Sequence, residues 1–112
     1  MLQDKQTITL EELNEILKTK KYVLIDVREQ WEIEQGIIPT AKHIPLTKIP
    51  ETFTLNENQF KEKMGFEKPT KQTIIITYCK TGVRSAMAQE CLLDKDYRAF
   101  NYTGSYEQWK NS

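Results

Sequence analysis

The sequence predicts an α/β fold, a doubly wound sheet of about five mostly parallel strands with helices on both faces. Three observations predict it. Short apolar runs alternate with segments of helical periodicity along the chain. The strongest run, Thr73-Ile74-Ile75-Ile76-Thr77-Tyr78, is β-branched and apolar on both faces, as a strand covered by helices on both sides must be. A chain of 112 residues, 38% of them hydrophobic, suits one compact domain over residues 1–112 with a modest core.

The elements follow in order. Thr7-Ile8-Thr9 reads as a short entry strand. Thr9-Leu10-Glu11-Glu12 fits a capping box, and Leu10, Leu13, Ile16 and Leu17 recur at helical spacing. Lys18 to Lys21 place positive charge at that helix's C-terminus, as its dipole favours. Tyr22-Val23-Leu24-Ile25 is a buried-strand run ending at Asp26, and Arg28 to Gln35 reads as a short helix stopped by Gly36. Ala41 to Ile44 is a further strand, closed by Pro45. Thr54-Leu55-Asn56-Glu57 offers a second capping box for a helix through about Met64, ended by Gly65. After the central strand, Cys79 to Arg84 forms a glycine-containing loop and Ser85 to Asp94 a helix. Ala99-Phe100-Asn101-Tyr102 is the last strand. Gly104 turns the chain, and Ser105-Tyr106-Glu107-Gln108 caps a terminal helix. Trp31 and Trp109 are expected to anchor their helices on the core.

Lys plus Arg total 16 and Asp plus Glu total 16, so no net charge marks a nucleic-acid partner, although a local pocket can still hold a small anion. No apolar run is long enough for a membrane span. The N-terminal residues lack the basic-then-apolar order of a secretory signal and are not Arg-rich, so a cytoplasmic protein is expected, with a mitochondrial location left open. Two cysteines and one histidine, with no CxxC or HxxxH pair, make no zinc site, and no metal or cofactor is expected.

The segment that carries chemistry is Cys79-Lys80-Thr81-Gly82-Val83-Arg84-Ser85, a strand-to-helix turn opening on a thiol. Parallel sheets place ligands outside the C-terminal ends of their strands, and Cys79 sits at such an end. A loop wrapping into a helix aims successive backbone N–H groups at one spot, and the helix dipole adds to them. A thiol there has a lowered pKa, and a terminal persulfide anion is stabilised in the same way. Gly82 supplies the tight backbone, and Lys80 and Arg84 add positive charge. Cys91, about 15 Å further along a helix, reads as core packing. Asp26 reads equally as a helix cap or a brace for the loop, Arg28 as part of an ion-pair network, and His43 as a packing residue.

The loop resembles the active-site loop of the rhodanese family, Cys-x-x-Gly-x-Arg-Ser. Asp26-Val27-Arg28-Glu29 is similar to the family's Asp-x-Arg-Glu segment. Gly36-Ile37-Ile38-Pro39-Thr40-Ala41-Lys42-His43-Ile44-Pro45 is similar to its Gly-His-Ile-Pro-Gly-Ala-x-x-Ile-Pro segment, with Ile37 for the usual His and Thr40 for the usual Gly. Thr103-Gly104-Ser105-Tyr106-Glu107-Gln108-Trp109 resembles the Gly-Gly-x-x-x-Trp ending, with Thr103 for the first Gly. The stretch from Phe60 to Pro69 resembles small eukaryotic thiosulfate sulfurtransferases, some of which use glutathione.

The resemblance implies a rhodanese-like fold and a sulfurtransferase. Cys79 would take sulfur from thiosulfate and pass it to a thiol (glutathione or a reduced protein thiol) or to cyanide, by covalent ping-pong catalysis. It makes Cys79 the catalytic residue and Lys80, Thr81, Gly82, Val83 and Arg84 the anion-binding loop, supported by Asp26, Arg28 and Ser85. A monomer acting without nucleic acid or membrane is expected. Two alternatives stand beside this: a silent rhodanese module that binds a partner or sulfur carrier, and a phosphatase or arsenate reductase. The latter relatives use one more residue, Cys-x-x-x-x-x-Arg, than the loop from Cys79 to Arg84.

Overall fold

The computed structural model describes residues 6–112. Among the described residues five strands form one sheet: β1 (Thr7–Ile8), β2 (Val23–Asp26), β3 (Lys42–His43), β4 (Ile74–Tyr78) and β5 (Arg98–Tyr102), in the spatial order β1-β5-β4-β2-β3. Every pairing is parallel, with Ile76 of β4 opposite Leu24 on one side and Phe100 on the other. The side-chain alternation of β4 feeds two cores, as a doubly covered strand requires. Ile75 faces Phe53, Phe60, Ala88 and Leu92, under the helices α3 (Ile49–Thr52), α4 (Glu57–Met64) and α5 (Val83–Asp94). Ile76 and Tyr78 face Leu13, Ile16 and Phe100, under α1 (Leu10–Thr19) and α6 (Ser105–Lys110).

The topology locates the site. The strand after β2 lies to one side of the central pair, and the strand after β4 lies to the other. The winding therefore reverses between β2 and β4, and the crevice of a doubly wound sheet opens at that reversal. Asp26 ends β2 and Tyr78, just before Cys79, ends β4, paired in register. Among the described residues no helix is long and apolar enough to cross a membrane.

Several elements differ from the expectation, each for a local reason. The helix expected from Arg28 to Gln35 is α2 (Gln30–Ile33), capped by a Glu29–Glu32 box, because Arg28 is drawn out of the helix to Asp26. Trp31 is 65% exposed rather than buried, since this single turn lies on the sheet's end with no core beneath it. Trp109 does pack on the α1 side of the sheet. The cap of α4 is Asn56, not Thr54. Asn56 Oδ1 accepts from the Gln59 amide at 2.8 Å, while the Thr54 hydroxyl donates back to the Glu51 carbonyl at 2.7 Å and closes α3. The expected Ser105–Gln108 cap does not form: Ser105 adopts φ 55° and its hydroxyl donates to the Tyr102 carbonyl at 2.8 Å. The helix after the loop starts at Val83, two residues early, so Arg84 lies in its first turn.

Candidate active site

The site is built on Cys79, which leaves β4 buried at 1% exposure. The next three residues turn sharply, and Gly82 reaches φ 98° before α5 begins. A Cβ at Gly82 would lie 2.7 Å from the Thr103 carbonyl oxygen, so both the backbone angle and the space demand glycine. The turn brings the Gly82 amide to 3.1 Å and the Ser85 hydroxyl to 3.4 Å from Cys79 Sγ. Burial of the sulfur opposes its ionisation. Hydrogen bonds from the Ser85 hydroxyl and from the Ser85, Gly82 and Thr81 amides outweigh it, so the thiol pKa falls below its ordinary value.

Two tertiary clamps hold this turn. From β5, Asn101 Oδ1 lies 2.7 Å from the Ser85 hydroxyl, whose single hydrogen it shares with Cys79 Sγ, while the Asn101 amide donates to the Gly82 carbonyl at 3.1 Å. From α6, the Tyr106 amide donates to the Cys79 carbonyl at 2.9 Å and the Glu107 amide to the Lys80 carbonyl at 3.0 Å. The Cys79 amide donates to the Ser105 hydroxyl at 3.2 Å. Every backbone group so fixed leaves the remaining amides free to converge on the sulfur.

Positive charge enters less directly than the sequence suggests. Arg84 meets Glu32 in a two-pronged ion pair, at 2.6 and 2.8 Å. The guanidinium holds the Glu32 carboxyl below the usual carboxylate range, at about 2. Arg84 senses the sulfur's charge, but its own charge is offset by this partner. Lys80 and Val83 are exposed on the rim.

Asp26 and Arg28 brace the crevice from β2. Asp26 is fully buried, and it accepts the Arg28 amide at 2.9 Å and the guanidinium at 2.7 Å. Arg28 also donates to the Gly36 carbonyl at 2.7 Å and lies 4.2 Å from the Tyr106 ring centroid. Asp26 therefore does not cap α2; it ties the β2 end to the Gly36 turn, with Arg28 as the ion-pair partner. His43 donates from Nε2 to the Arg28 carbonyl at 2.6 Å. Cys91 is half-buried against the α5-side core. Among the described residues no group of three or more His, Cys, Asp or Glu side chains could hold a metal ion.

Four residues here escape a reading of the sequence. Asn101 carries a usable signal, a lone amide inside the apolar run Ala99-Phe100-Asn101-Tyr102. Glu32, Ser105 and Tyr106 carry none, because their partners lie far off in sequence.

Known proteins match this chain. The rhodanese-like domain family matches residues 9–112. A mouse protein, thiosulfate sulfurtransferase/rhodanese-like domain-containing protein 3, is 38% identical over 104 residues, covering 91% of this chain and 66% of its own length. This chain thus spans about two thirds of that relative. Human thiosulfate:glutathione sulfurtransferase is 30% identical over 105 residues, covering 92% of this chain and 91% of its own. The solved structure of the human single-domain sulfurtransferase TSTD1 superposes with a TM-score of 0.91 at 28% identity, covering 96% of each chain.

Proposed function

The chain belongs to the rhodanese-like domain family, and from that premise we propose that it is a sulfurtransferase working through a persulfide on Cys79. The observation that carries the reading is the sulfur's setting: buried at a strand end, within 3.1 Å of the Gly82 amide, with its pKa lowered. A thiolate so placed is a nucleophile without a general base.

The proposed cycle balances without a cofactor. Cys79 thiolate attacks the outer sulfur of thiosulfate. A sulfur–sulfur bond forms, the bond to the sulfonate sulfur breaks, and sulfite leaves with the electron pair. The terminal persulfide anion then lies among the amides of the turn, with Lys80, Thr81, Gly82, Val83 and Arg84 forming the wall. An acceptor thiolate or cyanide takes the outer sulfur and returns the electron pair to Cys79. In this reading Ser85, Asp26 and Arg28 are positioning residues.

The relatives' names support a thiosulfate donor and a thiol acceptor such as glutathione. Two features bear against a phosphatase: Glu32 offsets the Arg84 charge that a phosphoryl group would need, and the loop from Cys79 to Arg84 is one residue shorter than that of the phosphatases. We take residues 1–112 as one rhodanese domain acting as a monomer in a reducing compartment, the cytoplasm or the mitochondrion, because the resting Cys79 must be a reduced thiol.

Intact mass after incubation with thiosulfate tests the reading. The protein should gain one sulfur atom, about 32 Da, which cyanide or a thiol removes. Cys79→Ser should not load, and Cys91→Ser should load normally. Loading of the Cys79→Ser protein would overturn the assignment.

A further inference from the structure

Beside the Cys79 turn, between α2 and α6, lies a cavity of about 120 Å³. It is contiguous with the turn through two residues: Lys80 lines it, and so does Glu32, which holds Arg84. The proposed cycle leaves this cavity without a role. Most of its polar floor is already committed, while Glu107 Oε2 is buried there without a hydrogen-bond donor, facing only the Lys110 charge. Arg28 is taken up by Asp26 and the Gly36 carbonyl, Glu32 by Arg84, and Lys110 by Glu107 at 3.3 Å. Among the described residues that line it, Lys80 is the cation with no carboxylate partner, and it directly follows the nucleophile.

The walls add a second observation. Trp31 lines the cavity with its indole 65% exposed, and Tyr106 faces it from α6, its ring backed by Arg28 at 4.2 Å. An aromatic side chain left largely in water forgoes most of the stabilisation that burial supplies, and no core packing explains its place. An exposed aromatic face beside a concave site and an unpaired ammonium suits an organic anion, whose body covers the indole while its charge meets the lysine. Inorganic donors such as thiosulfate, and cyanide, have no body to place there. At about 120 Å³ the cavity is sized for one arm of a ligand.

We propose that this cavity is the acceptor subsite, holding one arm of a small organic thiol that carries a carboxylate, with Trp31 and Tyr106 along the arm and Lys80 on the carboxylate. The proposal rests on the sulfurtransfer reading of Cys79. The thiol, held at its own end by this arm, presents its sulfur to the persulfide. The bond from acceptor sulfur to outer sulfur forms, the Cys79 sulfur–sulfur bond breaks, and the electron pair returns to Cys79 Sγ. Trp31 and Lys80 thereby discriminate among acceptors.

Two measurements on the full chain test it. The first compares acceptors of similar size after loading with thiosulfate. Wild-type protein should turn over 3-mercaptopropionate at a several-fold lower KM than cysteamine, whose ammonium Lys80 repels, and Lys80→Gln should erase that preference. Trp31→Ala, an exposed position with little bearing on folding, should lower kcat/KM for glutathione by about tenfold relative to that for cyanide, the size of one lost contact of ~1.4 kcal/mol. Equal changes for glutathione and cyanide, or no carboxylate preference in the wild type, overturn the proposal. The second measurement needs no sulfur chemistry. The Trp31 indole N–H resonance of the unloaded protein should shift saturably with S-methylglutathione, and the absence of such a shift overturns the subsite even where Cys79 loads sulfur. A saturable shift in a protein that loads no sulfur supports the cavity as a binding site and rejects the sulfurtransfer reading.

Discussion

Replacing Glu32 with Gln isolates the contribution of the ion pair that ties α2 to α5. Gln keeps a side-chain oxygen for the Glu29 amide, now 2.9 Å from Glu32 Oε1, so the α2 cap survives. The two-pronged contact with Arg84 does not. The Glu32 carboxyl titrates at about 2 instead of 4.5, and ~1.4 kcal/mol per unit makes the pair worth at most about 3 kcal/mol. Glu32 is 9% exposed but Arg84 is 34% exposed, so water screens one side, and about 1–2 kcal/mol is the expected loss. The sign follows from the depressed carboxyl pKa. The stabilisation is complete above about pH 4.5 and disappears as pH falls toward 2. Urea midpoints for wild type and Glu32→Gln should therefore differ at pH 7 and converge below pH 4. The variant also leaves the Arg84 charge uncompensated near Cys79, so iodoacetamide should report a lower thiol pKa. Identical midpoints at pH 7, or a gap that stays constant from pH 7 to pH 3, would refute the reasoning.

Other perturbations probe the turn and its backbone. Ser85→Ala removes the hydroxyl 3.4 Å from Cys79 Sγ and should raise the thiol pKa, because the thiolate loses a hydrogen-bond donor; an unchanged alkylation profile would remove Ser85 from the stabilisation of the thiolate. Gly82→Ala meets the Thr103 carbonyl at 2.7 Å with φ at 98°. It should cost about 2 kcal/mol or more in urea melts and slow sulfur loading, and a wild-type midpoint would contradict the geometry. Thr40 holds φ 76°, a left-handed angle that a β-branched residue adopts at about 1–2 kcal/mol. Thr40→Gly should therefore raise the thermal midpoint slightly, after about 0.5–1 kcal/mol of glycine chain entropy is subtracted, and a lowered midpoint would locate the compensation in the 2.8 Å Tyr22–Thr40 hydroxyl contact.

The sequence determined the fold class and the position of the thiol. Alternating strand and helix periodicities dictate a parallel sheet, and the uninterrupted run Ile74-Ile75-Ile76 places β4 at its centre, with Cys79 at its C-terminal end. These are local properties, readable within a few residues. What surrounds the sulfur was decided by tertiary structure. The sequence offers Arg84 as a free cation over the turn, but folding brings Glu32 to 2.6 Å and offsets it. It offers Ser105 as a helix cap, but the strand-to-helix turn needs that hydroxyl for the Cys79 amide. It offers Trp31 as a core anchor, and α2 leaves it in water beside a cavity. A side chain's partner depends on which distant segments the sheet order places beside it. Apolar periodicity constrains that order only weakly, so charge pairing and hydrogen-bond competition emerge when β2, β4, β5 and α6 converge on one end of the sheet.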